Sequence, residues 1–315
     1  RRLDTHFLAF RAMGAGVEIQ EDNSILLELN GPALTGADIF LEEMSVTATE
    51  NTVMAAAAAR GTSVIRNAAS EPHVQDLCHL LVLMGVRISG IGSNLLVIEG
   101  CRKRNGAEFT IGPDFMEIGS YIGLAAATKG EITINGVDIG QLAMIRNGFR
   151  KVGVTWEEIP GKHDLRQSRL RISAEQRRTI VPDISGMIPK IDDAPWPGFP
   201  PDLLSIITVV ATQSEGTVLI HEKMFESRMF FIDMLIRMGA RIILCDPHRA
   251  VVSGPCRLRG TLVTSPDIRA GMALVIAALS AHGQSEIQNV YQIERGYEDL
   301  CRKLRLLGAD IIREK

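Results

Sequence analysis

Glycine recurs along this chain at a spacing that few folds can use. Gly61 and Gly85, Gly130 and Gly153, Gly216 and Gly239, and Gly283 and Gly308 form pairs separated by 24, 23, 23 and 25 residues. The first glycine of each pair follows a helix-forming run and opens a short alternating run, as a helix stop before a strand does. The second closes an amphipathic stretch. In the first pair Val74, Leu77, Cys78, Leu81 and Val82 keep the three-and-four rhythm of one apolar helix face. In the last pair Ile293, Tyr297, Leu300, Cys301, Leu304 and Leu307 keep the same rhythm.

The pattern predicts four modules of helix, strand, helix and strand. The predicted helices are 47–60 and 71–84, then 118–129 and a run ending at 151, then 202–215 and 223–238, then 267–282 and 294–307. Each glycine opens a predicted strand, and SNLLVIEG and HRAVVSG supply further ones. A module of about 70 residues cannot bury both of its helices alone, so several must share a core. The expected class is therefore α/β (α+β), built from repeated units, and not an open dinucleotide-binding sheet. No GxGxxG or GxxxxGK[ST] loop is present.

Two stretches break the repeat. Residues 7–20, FLAFRAMGAGVEIQ, read as the second half of a module, and the chain starts with Arg1. The reading predicts a further N-terminal segment before it. Gly130 and Gly216 are 86 residues apart, against 69 and 67 for the neighbouring intervals. The excess lies in 162–200, expected to be a long surface strand or loop.

Composition narrows the function. A net charge of −3 leaves no global basic field for nucleic acid. No apolar run is long enough to span a bilayer. The five cysteines are odd in number and contain no CxxC pair, against both a disulfide framework and a zinc site. A reducing cytosol is the simplest compartment. The histidines lack metal-ligand spacing, and no GxSxG elbow is present.

The chemistry is expected at helix starts. In WPGFPPDLLSI the prolines hold the chain extended until a helix begins, and Asp202 falls at the switch. It reads either as an N-cap or as a carboxylate aimed beyond the helix. Asp267 starts the corresponding helix of the last module. Thr47 to Glu50 has capping-box spacing. Arg228 and Arg295 sit near predicted helix starts, unfavourable to the helix dipole, so each is either a solvated side chain or an anion ligand.

RRLDTH, SVTATENTVMAA, WPGFPPD, FESRM, SPDIRAGMALV and IERGYEDLCRKLRLLGA resemble, in order and over the whole chain, the enolpyruvyl transferases, and among them the UDP-N-acetylglucosamine 1-carboxyvinyltransferase family. The resemblance implies two inside-out α/β barrels of βαβαββ units. Residues 1–112 would form most of one lobe, incomplete at its N-terminus, and 113–315 most of the other. It implies transfer of the enolpyruvyl group of phosphoenolpyruvate to the 3′-hydroxyl of UDP-N-acetylglucosamine with release of phosphate, a step of peptidoglycan precursor synthesis. No cofactor and no metal are implied.

Carried over by motif, Asp202 is the base at the hydroxyl, Arg228 and Arg295 lie near the phosphoenolpyruvate anion, and Asp267 is a second site aspartate. Arg1, Arg2, Leu3, Asp4 and Thr5, with Glu43, Met44, Ser45, Val46 and Met224, match sugar-nucleotide contacts. The family's proton donor, a Cys or Asp on a loop just before the segment matching RRLDTH, and its Lys-Asn pair are expected in the segment before Arg1. The chain as given is then inactive alone. Thr47 stands where the family has Gly, and Glu43 and Phe115 where some members have basic residues. Two other readings remain open: a 5-enolpyruvylshikimate-3-phosphate synthase-like transferase, and a non-catalytic ligand-binding paralogue.

Overall fold

The computed structural model describes residues 3–162, 164–226 and 228–314. The chain divides into two compact units, one of Arg1–Gly112 with Pro195–Pro197, the other of Pro113–Ala194 with Gly198–Lys315. Arg1 and Arg2, two expected sugar-nucleotide contacts, lie outside the described residues.

The first unit begins with helix α1 (Asp4–Ala12) and an antiparallel hairpin, β1 (Ala15–Ile19) and β2 (Ile25–Leu29). There follow β3 (Asp38–Phe40), α2 (Val46–Ala58), β4 (Thr62–Arg66), α3 (Pro72–Leu83), β5 (Arg87–Ser89) and β6 (Leu95–Glu99). The four strands pair in the order β3-β4-β6-β5, with only β3 and β4 parallel. Alternation along β4 and β6 puts Ile65, Leu96 and Ile98 inside, against Val53, Ala56 and Ala57 of α2 and Cys78 and Leu81 of α3. Gly61 and Gly85 both take positive φ, 91° and 98°, and let the chain turn out of each helix into a strand.

The second unit contains α4 (Phe115–Thr128), β7 (Ile132–Val137), α5 (Ala143–Lys151), β8 (Glu157–Ile159), β9 (Ser168–Ile172), β10 (Lys190–Asp192), α6 (Leu204–Thr212), β11 (Gly216–His221), α7 (Phe231–Arg237), β12 (Arg241–Asp246), β13 (Arg249–Gly254), β14 (Leu262–Thr264), α8 (Ile268–Ser280), β15 (Glu286–Gln288), α9 (Tyr291–Glu294) and α10 (Leu300–Leu306). The strands form separate sheets, β7-β9-β8, β10-β11-β13-β12 and β14-β15. Helices α4, α6 and α8 pack on one another inside. All nine residues of α6 are buried, as expected of a helix that is apolar all round.

Small residues permit that packing. A Cβ at Gly119 would lie 2.5 Å from Leu203 Cδ1, and one at Gly123 2.3 Å from Ile206 Cγ2. The two glycines are one helical turn apart on α4, so they open a strip into which the α6 segment fits.

Several predicted elements are displaced. The 162–200 excess is not a surface loop throughout. Its β9 is the central strand of a three-stranded sheet, with Ser168, Leu170 and Ile172 buried, and its β10 extends the next sheet. Alternating SRLRI carries one buried face, and that overrides the polarity of its surroundings. The strand predicted at Gly153 starts later, at Glu157. Residues 152–154 close α5 instead, with Val154 N donating to Phe149 O at 3.0 Å and Gly153 at φ 77°.

The predicted helix 223–238 exists only as α7, because the amides of Lys223 and Met224 turn towards the Asp193 carboxylate. The predicted helix 294–307 is split into α9 and α10, with Asp299 left-handed at φ 50°. Residues 308–314 form no strand. Arg305 Nε donates to Ile311 O at 2.6 Å and Arg313 Nε to Glu294 at 2.7 Å, so side chains hold this segment and no ladder does. The capping box at Thr47 is absent. Ser45 caps α2 by accepting from Ala48 N at 3.3 Å, which leaves Glu50 too far along the helix to close the box.

The central packing predicts that Gly123→Val lowers stability by about 1–3 kcal/mol through overpacking. Gly106→Ala, where an added Cβ meets nothing within 4 Å, should stay within about 0.5 kcal/mol. Urea unfolding of both variants checks this, and equal stability would contradict the close approach of α4 and α6.

Candidate active site

Asp202 follows Pro200 and Pro201 and lies in a single 3₁₀ turn, Pro201–Leu203, ahead of α6. Its carboxylate caps nothing, since neither the turn nor α6 has a side-chain cap bond. It is shared between two guanidiniums instead. Oδ1 accepts from Arg228 Nη1 at 2.7 Å, and Oδ2 accepts from Arg269 Nε at 3.2 Å. The three side chains are only 27%, 23% and 18% exposed, so solvent screens them weakly.

Arg228 reaches Asp202 from the irregular segment between β11 and α7. Its guanidinium stacks on the Phe225 ring, 4.6 Å from the centroid. Arg269 comes from the first turn of α8. It lies 5.3 Å from the Tyr297 ring centroid and shares a side-chain hydrogen bond with Tyr297, while its Nη1 is buried with no hydrogen-bond partner among the described residues. Tyr297 is itself fixed by a 2.7 Å hydrogen bond between its hydroxyl and Ser120 of α4. Burial pushes the Tyr297 phenol above its ordinary value, so it stays protonated.

Asp267 is the N-cap of α8, with Oδ1 accepting from Arg269 N at 2.8 Å and Ala270 N at 2.9 Å. Asp114 caps α4 in the same way, accepting from Met116 N at 2.8 Å. Arg269 lies in the field of Tyr297, Asp202 and Asp114. Aspartates therefore mark the starts of all three central helices around one arginine.

A cavity of about 260 Å³, counted with the solvent space at its mouth, is lined by Ser205, Glu222, Arg228, Met229, Asp267 and Arg269 among others. Glu222, at 2% exposure, has its carboxyl pushed up to about 8, first by burial and then by its hydrogen bond to Asp193 and that group's charge.

Of the expected residues, the structure brings Asp202, Arg228 and Asp267 to this cavity or its edge. Met224 lies four residues before Arg228 in the Phe225 segment, its amide donating to Asp193 Oδ2 at 3.1 Å. Arg295 is exposed at the C-terminal cap of α9, donating to Gln292 at 3.1 Å, and does not line the cavity. The dipole reasoning for the arginines fails at both predicted positions. Arg228 precedes α7 by three residues, and Arg295 sits at a helix end where the dipole favours it. The same reasoning holds for Arg269, which the sequence reading passed over. Glu222, at the end of GTVLIHE, offers no such signal.

In the first unit Leu3, Asp4 and Thr5 start α1, while Glu43, Met44, Ser45 and Val46 lead into α2. His6 joins the two starts, with Nε2 3.4 Å from Thr47 Oγ1 and Nδ1 2.9 Å from Asn51 Nδ2. Leu3, Asp4 and Glu43 are exposed and Thr5 is buried.

No group of three or more His, Cys, Asp or Glu suited to a metal occurs among the described residues. No helix among them is long and apolar enough to cross a membrane. Burial pushes the Cys78 thiol up to about 11, which makes it a core group and not an acid.

This arrangement offers a carboxylate, two guanidiniums and an unpaired buried N–H beside a small cavity, a set suited to moving a proton next to a bound anion. Residues 1–304 match the family described as EPSP synthase (3-phosphoshikimate 1-carboxyvinyltransferase). A protein of Treponema denticola named UDP-N-acetylglucosamine 1-carboxyvinyltransferase is 58% identical over 316 residues, covering 100% of this chain and 72% of that relative. The protein of the same name from Treponema pallidum is 58% identical over 314 residues, covering 100% and 71%. Among solved structures, the enolpyruvyl transferase NikO from Streptomyces tendae superposes with a TM-score of 0.82 at 22% identity, over 98% of this chain and 72% of that one. The fold is thus the enolpyruvyl transferase fold that the resemblance implied, and the chain belongs to the EPSP synthase family of carboxyvinyl transferases, alongside the UDP-N-acetylglucosamine 1-carboxyvinyltransferases.

Proposed function

We propose that this chain carries the base and the anion-binding arginines of an enzyme that moves the enolpyruvyl group of phosphoenolpyruvate to the 3′-hydroxyl of UDP-N-acetylglucosamine. The observation that supports this most is the Asp202 carboxylate held between Arg228 and Arg269, with Arg269 Nη1 still unpaired. Relatives at 58% identity bear the corresponding name, which favours the UDP-sugar over shikimate 3-phosphate as acceptor. The product would enter peptidoglycan precursor synthesis in the cytoplasm, and so serve cell-wall growth, cell shape and division.

The bond changes set the demands. The sugar hydroxyl oxygen bonds to C2 of phosphoenolpyruvate while its proton passes to a base. The methylene carbon takes a proton from an acid. The tetrahedral adduct then loses phosphate by cleavage of the C2–O bond and a proton from the new methyl group, which restores the double bond. Asp202 is the base in this reading. Both of its oxygens are occupied by the arginines until an anion arrives. A phosphate or carboxylate that takes over the guanidiniums frees a carboxylate oxygen to accept the hydroxyl proton.

Arg228, still stacked on Phe225, and Arg269, still beside Tyr297, then face the charge that develops on the leaving phosphate. Asp267, Arg295, Met224, and the segments Leu3–Thr5 and Glu43–Val46 keep the expected ligand-facing roles as part of the proposal. The acid is assigned to no residue of this chain.

Phosphate release by the full-length protein tests the reading. Release should require both phosphoenolpyruvate and UDP-N-acetylglucosamine, and turnover with shikimate 3-phosphate in place of the UDP-sugar would reverse it. Asp202→Asn should cost about 10²–10⁴-fold in kcat with the fold intact by circular dichroism, and near-normal turnover would remove Asp202 as the base. Arg269→Ala should lower kcat/KM for phosphoenolpyruvate by roughly 10²-fold or more, and an unchanged value would place the anion elsewhere.

A further inference from the structure

Glu222 is a buried carboxyl that the reaction above does not use. Its Oε1 is buried without a hydrogen-bond partner among the described residues, and it lines the same cavity as Arg228 and Arg269. Its backbone is clamped at the end of β11, where Glu222 N donates to His248 O at 2.8 Å and His248 Nδ1 lies 3.0 Å from Glu222 O. Beside it Asp193 is wholly buried and hydrogen-bonded to it.

The two carboxyls meet three successive amides. Asp193 Oδ1 accepts from Lys223 N, and Oδ2 accepts from Met224 N at 3.1 Å, while the Phe225 amide bonds to Glu222. All three amides are thus met by carboxyl groups of the chain itself. The Phe225 ring then supports the Arg228 guanidinium, and Arg228 meets Asp202 at 2.7 Å. An unbroken series of contacts runs from the carboxyl pair to the site carboxylate.

Two adjacent buried carboxylates cannot both ionise cheaply. The groups around Glu222 are Asp193 after β10, Lys223 and Arg228 after β11, His248 at the β12–β13 turn, and Asp267 and Arg269 at the start of α8. Lys223 is engaged by Asp192, and Arg228 and Arg269 by Asp202. Among the described residues named here, each of these three cations could neutralise a second buried charge only by leaving its aspartate.

We propose that Glu222 is a positioning residue: as a neutral acid it donates its proton to Asp193, and the pair fixes the amides of residues 223–225 so that Arg228 is presented to Asp202. The consequence for function rests on the transferase reading, but the protonation state does not. Burial and Asp193 place the loss of this proton at about 8, with Arg228 and the Phe225 amide opposing. Once ionised, Glu222 competes with Asp202 for Arg228, and the site loses its arrangement.

The folded carboxyl keeps its proton up to about 8, against an ordinary value of 4.5. Its contribution to folding is whole below 4.5 and is lost as pH rises towards 8.

The test uses the full-length protein and the variants Glu222→Gln, Glu222→Ala and Asp193→Asn. Infrared spectra of the wild type should show a carboxylic acid band that persists through neutral pH and disappears in Glu222→Gln. Glu222→Gln should also flatten the fall in thermal stability between pH 5 and pH 8. In phosphate release, Glu222→Ala should lose on the order of 10²-fold in kcat/KM for phosphoenolpyruvate. Glu222→Gln, which still donates to Asp193, should recover most of it and lose the alkaline limb of the pH profile. Absence of the band in the wild type, or a Gln variant as impaired as the Ala variant, overturns the proposal. So does a change confined to thermal stability, with the pH profile unmoved. If wild-type protein releases no phosphate from these substrates, the transferase reading fails and the infrared arm still decides the protonation of Glu222.

Discussion

A carboxylate shared between two guanidiniums keeps its geometry only while three separate pieces of chain are held still. Asp202 rides on the turn before α6, Arg228 on the segment after β11, and Arg269 on the first turn of α8. None of the three is near another in sequence. Their meeting depends on the packing of α4, α6 and α8, whose starts are marked by Asp114, Asp202 and Asp267. In two of those aspartates the carboxylate is spent on helix amides. In the third it is spent on arginines, because the Pro-Pro sequence begins a 3₁₀ turn and leaves the side chain free to point away from the helix.

The central helices can hold such a charge cluster because their own packing leaves little slack. Gly119 and Gly123 let α4 approach the α6 segment to a distance at which a Cβ would collide. The hydroxyl of Tyr297 ties α4 to the region where Arg269 stacks. Steric fit thus fixes the helix starts, and the helix starts fix the ion pairs. A surface ion pair of the same composition would contribute little and move freely. Here partial burial makes the same groups costly to separate and leaves Arg269 Nη1 with an unmet demand for an acceptor.

Much of this was legible in the residues. The glycine spacing found α2, α3, α4 and α8, because those helices end where a left-handed residue is required and their apolar rhythm is uninterrupted. It failed for 223–230, where amide nitrogens are taken by Asp193, and for 295–299, where Asp299 turns left-handed. Both are long-range or conformational effects that a local rhythm cannot carry. Asp202 was found by its place after the prolines, yet its partner Arg269 was missed although SPDIRA was in view. The dipole misfit that pointed to Arg228 and Arg295 in fact describes Arg269, since a helix start must be located correctly before its dipole can be used. Glu222 could not have been found, because nothing in GTVLIHE shows that Asp193 lies beside it.

In the proposed reaction an anion takes the arginines from Asp202 and frees its carboxylate to act as a base. A crystal structure of the full-length protein with phosphoenolpyruvate and UDP-N-acetylglucosamine bound decides this. An anionic group of phosphoenolpyruvate should lie on Arg228 and Arg269, with a carboxylate oxygen of Asp202 turned to the sugar 3′-hydroxyl. Ligands bound away from these side chains, with Asp202 still gripped by both guanidiniums, would contradict it.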